Sequence, residues 1–263
     1  MSESSQVQDA PNWTRQWNEV RYPGQIRMFQ EMISPLDVSF FSNKKVLNVG
    51  CGNGVETMEM AKVASHVTAV DFYTAEPMRR IADSTDNISF VEADAASFSC
   101  DDQYDCVVAI GVLHVTDDPA ASFHNLQKCL APGGTMIIYV YSAESMFLVR
   151  NIFDPIRKML LKSRFFRVNM LRISRALAPV LRGGLRLFFS VVRSERSLLD
   201  YLKYLSTLGN EDLTSHIYDK LNAPVVHYIS HEELLRWFQD GGFETPVVTN
   251  YHNVGWRAHA VKK

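Results

Sequence analysis

From Lys45 onward the chain alternates short apolar runs with amphipathic stretches, and no other feature restricts its fold as much. "KVLNV", residues 55–64, "VTAVD", residues 75–84, "ISFVEAD", "YDCVVAIGV", residues 118–130 and "TMIIYVY" follow one another. Near-continuous apolar runs of this length suit strands buried on both faces, with the intervening helices supplying the cover. Repeated units of this kind give a parallel, doubly wound α/β sheet with right-handed crossovers. The alternation halts after Tyr141 and resumes at "SHEELLRWFQDGGFETPVVTNY". There Ser230 and Glu233 have capping-box spacing, Gly241-Gly242 fits a helix end, and a strand follows. "VGWRAHAVKK" reads as one more strand. At 263 residues the chain can form one large domain carrying an insertion.

Two segments stand outside this pattern. Residues 1–43 read as a polar tail and a cap, with spaced positions such as Trp13, Trp17 and Ile26 forming two short helices broken at Pro23-Gly24. Residues 143–227 read as a basic helical insertion, or lid. Between Arg150 and Leu198 twelve Lys or Arg face two acidic residues, although the whole chain carries a formal charge of only −2. On a helical wheel Arg157, Arg164, Arg167, Arg172 and Arg175 share one side, and Arg186, Arg193 and Arg196 form a second group. Pro155, Pro179 and Gly183-Gly184 are expected to divide the two. Such helices serve as a lid packed on the sheet, or as a surface for an anionic membrane or a lipid-like acceptor. Nucleic acid fits less well, for no recognition motif or stacking platform accompanies the charge.

The N-terminus lacks a basic start and apolar h-region, and no long uncharged apolar run occurs, so a cytoplasmic protein, peripheral to a membrane at most, is expected. Cys51, Cys100, Cys106 and Cys129 show neither a C-x-x-C pair nor zinc spacing, which reads as reduced thiols. No H-E-x-x-H pattern accompanies the histidines, and no metal site is expected.

The chemistry starts where "KVLNV" meets Gly50-x-Gly52-x-Gly54. Glycines at such a turn permit positive φ and let a ligand approach the backbone closely. Val55 occupies the place of the last glycine of a dinucleotide fingerprint, so the turn is not tuned for a pyrophosphate. Asp71 ends the second strand, where a carboxylate can accept both hydroxyls of a ribose, and Asp94 ends the third, where it can take an adenine amino group.

With "VLNVGCGNG", "VTAVDF", "FVEADAASF", "YDCVVAIGVLHVTDDP" and "LAPGG" in order, the chain resembles the class I S-adenosylmethionine-dependent methyltransferases over about residues 44–141 and 230–262. The resemblance implies a core of residues 44–142 and 228–263, seven strands with the last antiparallel, and S-adenosylmethionine as cofactor. It sets Gly50, Gly52 and Gly54 along the methionine and ribose, Asp71 and Phe72 at the ribose, Asp94 and Ala95 at the adenine, and Gly111 near the methionine end. Asn48 stands where the family usually has Asp or Glu, and it offers no charge to the cofactor's amino group. His114 falls on the loop that faces the transferable methyl, as a general base or a positional residue. Val115 follows it where many relatives have a second histidine. Tyr218, His227 and Tyr228 are expected to border the acceptor. The expected reaction is methyl transfer to a small, apolar or lipid-like acceptor, on oxygen first. The alternatives are a non-catalytic cofactor-binding or membrane-associated protein and a nicotinamide-dependent oxidoreductase.

Overall fold

The computed structural model describes residues 15–20, 22–73, 76–100, 103–147, 149–192, 199–223 and 225–263. Trp13, Arg193 and Arg196 lie outside them. Residues 15–19 are helical, and α1 follows at Gln25–Ile33. The core is then β1 (Lys45–Val49), α2 (Val55–Ala61), β2 (His66–Asp71), α3 (Glu76–Ser84), β3 (Ile88–Glu92), β4 (Tyr104–Ile110), α4 (Pro119–Leu126) and β5 (Leu130–Tyr141). The insertion supplies α5 (Asp154–Leu161), α6 (Arg164–Val191), α7 (Asp200–Thr207) and α8 (Asn210–Asn222), before α9 (His231–Asp240), β6 (Val247–Tyr251) and β7 (Gly255–Val261) close the core.

The strands form one seven-stranded sheet in the order β3-β2-β1-β4-β5-β7-β6. β1 to β5 pair in parallel, and β7 runs antiparallel to both β5 and β6. Period-two alternation sends Leu47, Val107 and Ile138 to one face, against Phe123 of α4 and Phe238 of α9. Val46, Val108 and Ile137 go to the other, against Phe29 and Ile33 of α1 and Met60 of α2. Capping is local: Asp118 accepts from the Ala121 amide ahead of Pro119, and Ser230 accepts from the Glu233 amide at 3.1 Å.

Two expectations need correction. Pro179 and Gly183-Gly184 do not divide the insertion, because α6 runs unbroken through all three. Its buried stripe of Met170, Leu171, Ser174, Ala178 and Leu185 stays in register along the helix. Packing on Leu213, Tyr218 and Leu221 of α8 and Leu205 of α7 offsets the propensity cost of about 3 kcal/mol for Pro and about 1 kcal/mol for each Gly. The break comes earlier, at Ser163, whose hydroxyl caps α6 by accepting from the Phe166 amide. The four thiols are also not all reduced. Cys100 and Cys129, 29 residues apart, meet at a Cα separation of 5.6 Å and form a disulfide, while Cys51 and Cys106 are free and buried. Among the described residues no helix is long and apolar enough to cross a membrane.

Candidate functional site

The carboxyl ends of β1, β2, β4 and β5 open into one cavity of about 210 Å³, roofed by the N-terminal helical segment, the insertion and α8. That is where an open parallel sheet receives ligands. On one side β1 ends in the glycine turn, with Gly50, Gly52 and Gly54 all at positive φ. A methyl group on Gly50 would overlap Val112, and one on Gly52 would stand 2.8 Å from the Trp17 ring. Gly50 therefore makes room for Val112, itself on the cavity lining, whereas Gly52 admits the N-terminal roof. Gly54 instead makes room for Met78 and Ile81 of α3 and does not line the cavity.

Asp71 lies at the end of β2 and is 8% exposed. Its Oδ2 accepts from the Gly52 amide at 2.8 Å. Burial raises its pKa to about 6, against the backbone amides of Gly52, Tyr73 and Phe72, which lower it. Phe72 and Tyr73 line the same wall, as do Ala95 and Gly111. The Tyr73 hydroxyl is buried with no hydrogen-bond partner, and at Gly111, with φ +77°, the space a side chain would fill is open. An acidic strand end, an orphaned hydroxyl and two side-chain-free positions form a cradle whose chemistry fits a nucleoside.

Of the expected cofactor residues, Gly52 and Gly54 do not line the cavity, and neither do Asn48 and Asp94. The Asn48 amide is buried and donates to the Thr57 hydroxyl at 2.9 Å. Asp94 caps its own turn, with Oδ1 accepting from the Ala96 amide. A carboxylate that the sequence did not single out does line it: Glu56, in the first turn of α2, has a pKa raised by burial to about 7. Trp17 and Tyr22 complete the roof. Gln16, fully buried, fastens it by donating to the Tyr22 hydroxyl at 2.9 Å and to Asp219 of α8 at 3.1 Å, and by accepting from Asn222.

The other half of the cavity is aromatic and ionic. His114 is 2% exposed, its ring centroid 3.9 Å from that of Tyr141, and its Nδ1 has no partner. Burial, then the charge of Lys220 and His227, lowers its pKa to about 3, so the imidazole is neutral at physiological pH. Tyr228 lines the wall, stacks on Tyr141 and donates to Asp154 at 2.9 Å. The other two expected acceptor residues lie elsewhere. Tyr218 packs with Val20, Met170 and Leu171, and the His227 amide donates to the His114 carbonyl while its ring stays off the cavity lining. The ions come from the insertion. Arg157 is 2% exposed rather than part of a solvent-facing stripe, and its Nη1 lies 3.4 Å from Asp154 Oδ1. Lys220 projects Nζ over the Tyr141 ring at 3.3 Å, and burial lowers its pKa to about 8. No group of three or more His, Cys, Asp or Glu able to hold a metal occurs among the described residues.

Strand order, antiparallel β7 and a glycine turn facing an acidic strand end define a class I S-adenosylmethionine-dependent methyltransferase fold. The family model described as a methyltransferase domain matches residues 25–248, and the chain belongs to that family. It is 30% identical over 115 residues to a ubiquinone biosynthesis O-methyltransferase of Hydrogenovibrio crunogenus, covering 39% of this chain and 47% of the relative. It is 31% identical over 117 residues to a demethylmenaquinone methyltransferase of Clavibacter sepedonicus, covering 43% and 47%. The matches thus span about half the length of these curated relatives. The N-methyltransferase NodS of Bradyrhizobium japonicum WM9, solved with S-adenosyl-L-homocysteine, superposes with a TM-score of 0.54 at 12% identity over 97% of each chain. A DhpI-SAM-HEP complex gives 0.57 at 15% identity over 100% of both chains.

Proposed function

We propose that this protein transfers the methyl group of S-adenosylmethionine to an oxygen of a small acceptor with an aromatic or quinone-like body. The observation that carries this reading is one cavity with two unlike halves, a nucleoside cradle at the glycine turn and an aromatic wall of Tyr139, Tyr141 and Tyr228 beyond it. The cofactor supplies a methyl already activated on a sulfonium, which leaves the chain to align the acceptor and exclude water. Asp71 accepts the ribose hydroxyls, Phe72 and Ala95 flank the base, and Glu56 takes over the ammonium contact that Asn48, turned to Thr57, does not make. Trp17 and Tyr22 close the cradle against solvent. His114, neutral and with Nδ1 free, accepts the hydrogen bond of the acceptor hydroxyl and positions it for attack. The relatives whose names refer to quinones support an acceptor of this kind.

The insertion adds a route for a lipid-like acceptor. Among the described residues, seventeen large apolar side chains are exposed and thirteen of them fall between Phe147 and Val191, Phe165, Val168, Val180 and Leu187 of α6 among them. Exposed Arg164, Arg167, Arg172 and Arg175 share that helix. Apolar side chains beside arginines match an anionic membrane surface, and we read this face as docking there. Methyl-labelled S-adenosylmethionine, incubated with purified protein and fractionated extracts, tests the reaction. Label should enter an organic-soluble small-molecule fraction; label in RNA or protein, or in nothing, contradicts it.

A further inference from the structure

Resting on the methyltransferase reading, we propose that the acceptor carries an anionic oxyacid group, a carboxylate or a phosphonate, held between Arg157 and Lys220. Both residues line the acceptor half of the cavity, and their hydrogen-bonding capacity is largely unused. Arg157 spends Nη1 on Asp154 and on the Lys220 carbonyl at 3.4 Å, while its Nε and Nη2 have no hydrogen-bond partner. Lys220 Nζ is buried with no hydrogen-bond partner either; it rests on the Tyr141 ring and meets Asp219 and Asp154 only as neighbouring charges.

The neighbouring carboxylates do not use these donors. Asp219 accepts from Gln16 on Oδ1 and from Tyr141 on Oδ2, and Asp154 accepts from Tyr228 on Oδ2. The formal charges of Asp154, Asp219, Arg157 and Lys220 cancel, but among these four residues the buried donors without a hydrogen bond, Arg157 Nε and Nη2 and Lys220 Nζ, outnumber the one such acceptor, Asp154 Oδ1. Buried donors left unmade are costly, and interiors seldom keep them without a use. A free guanidinium edge beside an ammonium matches a group with two anionic oxygens, where a neutral carbonyl offers a single oxygen and no charge.

The test is calorimetry on the whole chain saturated with S-adenosylhomocysteine. The probes are 4-hydroxybenzoate, its methyl ester and phenylphosphonate, with wild type, Lys220→Met, Arg157→Gln and Arg157→Lys. Arg157→Lys keeps the charge that Asp154 needs and loses the fork. At least one anionic probe should bind about tenfold or more tightly than the ester, and each variant should weaken it by about tenfold or more. Preference between the two anions identifies the group. S-adenosylhomocysteine affinity should stay within about twofold throughout, because neither residue reaches the cradle. Equal binding of acid and ester, no anion binding even at tens of millimolar, or folded variants that retain acid affinity would overturn the proposal. Failure of wild type to bind S-adenosylhomocysteine would instead strike the methyltransferase reading.

Discussion

A lysine kept for a ligand should cost the empty protein stability, and Lys220→Met measures that cost. Its ammonium is buried and its pKa falls from the ordinary 10.5 to about 8. At 1.36 kcal/mol for each unit, the charged form costs the fold about 3 kcal/mol at pH 7. The contact with the Tyr141 ring returns about 1 to 2 kcal/mol, and methionine keeps most of the apolar stem. The variant should therefore be more stable than wild type by about 1 to 2 kcal/mol, a rise in Tm of about 2 to 4 °C per kcal/mol. The sign with pH follows from the lowered pKa. Below pH 8 the lysine is charged in both states and the penalty is complete; between 8 and 10.5 the unfolded chain binds more protons, so wild type gains stability as pH rises. The variant's advantage should shrink on going from pH 7.5 to 9.5. Calorimetric melts of both proteins across that range are the assay, and taking the difference removes the tyrosines and free cysteines common to both. A variant destabilised by more than about 1 kcal/mol, or a difference flat with pH, would refute the claim that the cavity holds a desolvated cation in reserve.

Asp71→Ala should weaken S-adenosylhomocysteine binding by roughly 1.5 to 3 kcal/mol, the range of hydrogen bonds to a charged group, and unchanged calorimetric affinity would remove its ribose role. Gly50→Ala should cost at least about 2 kcal/mol, because positive φ disfavours a side chain and the methyl overlaps Val112; denaturant melts with wild-type midpoints would contradict this. The protein should sediment with phosphatidylserine vesicles and not with phosphatidylcholine alone. Arg172→Gln and Arg175→Gln should each cost about 1 kcal/mol of that binding, and equal sedimentation with both lipids would exclude the electrostatic part.

The cradle was legible because each part belongs to one strand and the turn that ends it. Gly50 and Asp71 lie at strand ends, and a buried parallel strand announces itself by its apolar run. The motif places Asn48 at the cofactor, but with no charge to hold at the turn it pairs with Thr57. The acceptor half was not legible, for it joins Tyr141 of β5, Arg157 of α5, Lys220 of α8 and Gln16 of the N-terminal segment, residues with no common spacing. Helical spacing puts Arg157 in line with the arginines of α6, but the break at Ser163 sets it on a separate helix, α5, that turns it inward. One signal was available: Asp154 is the lone acid from Arg150 to Val192 and stands three residues before Arg157, which suits a pair turned inward. The resemblance points to Tyr218, His227 and Tyr228 together, but periodicity does not say that Tyr228 faces the cavity and Tyr218 the α6 interface. The disulfide links residues whose proximity only the folded sheet creates.

A crystal structure of the complex with S-adenosylhomocysteine tests the account most directly. Its ribose should sit on Asp71, its base beside Ala95 and Phe72, and its sulfur should point past Gly111 toward His114. A saturated crystal with the nucleoside bound elsewhere, or with the cradle at the glycine turn empty, would contradict the account.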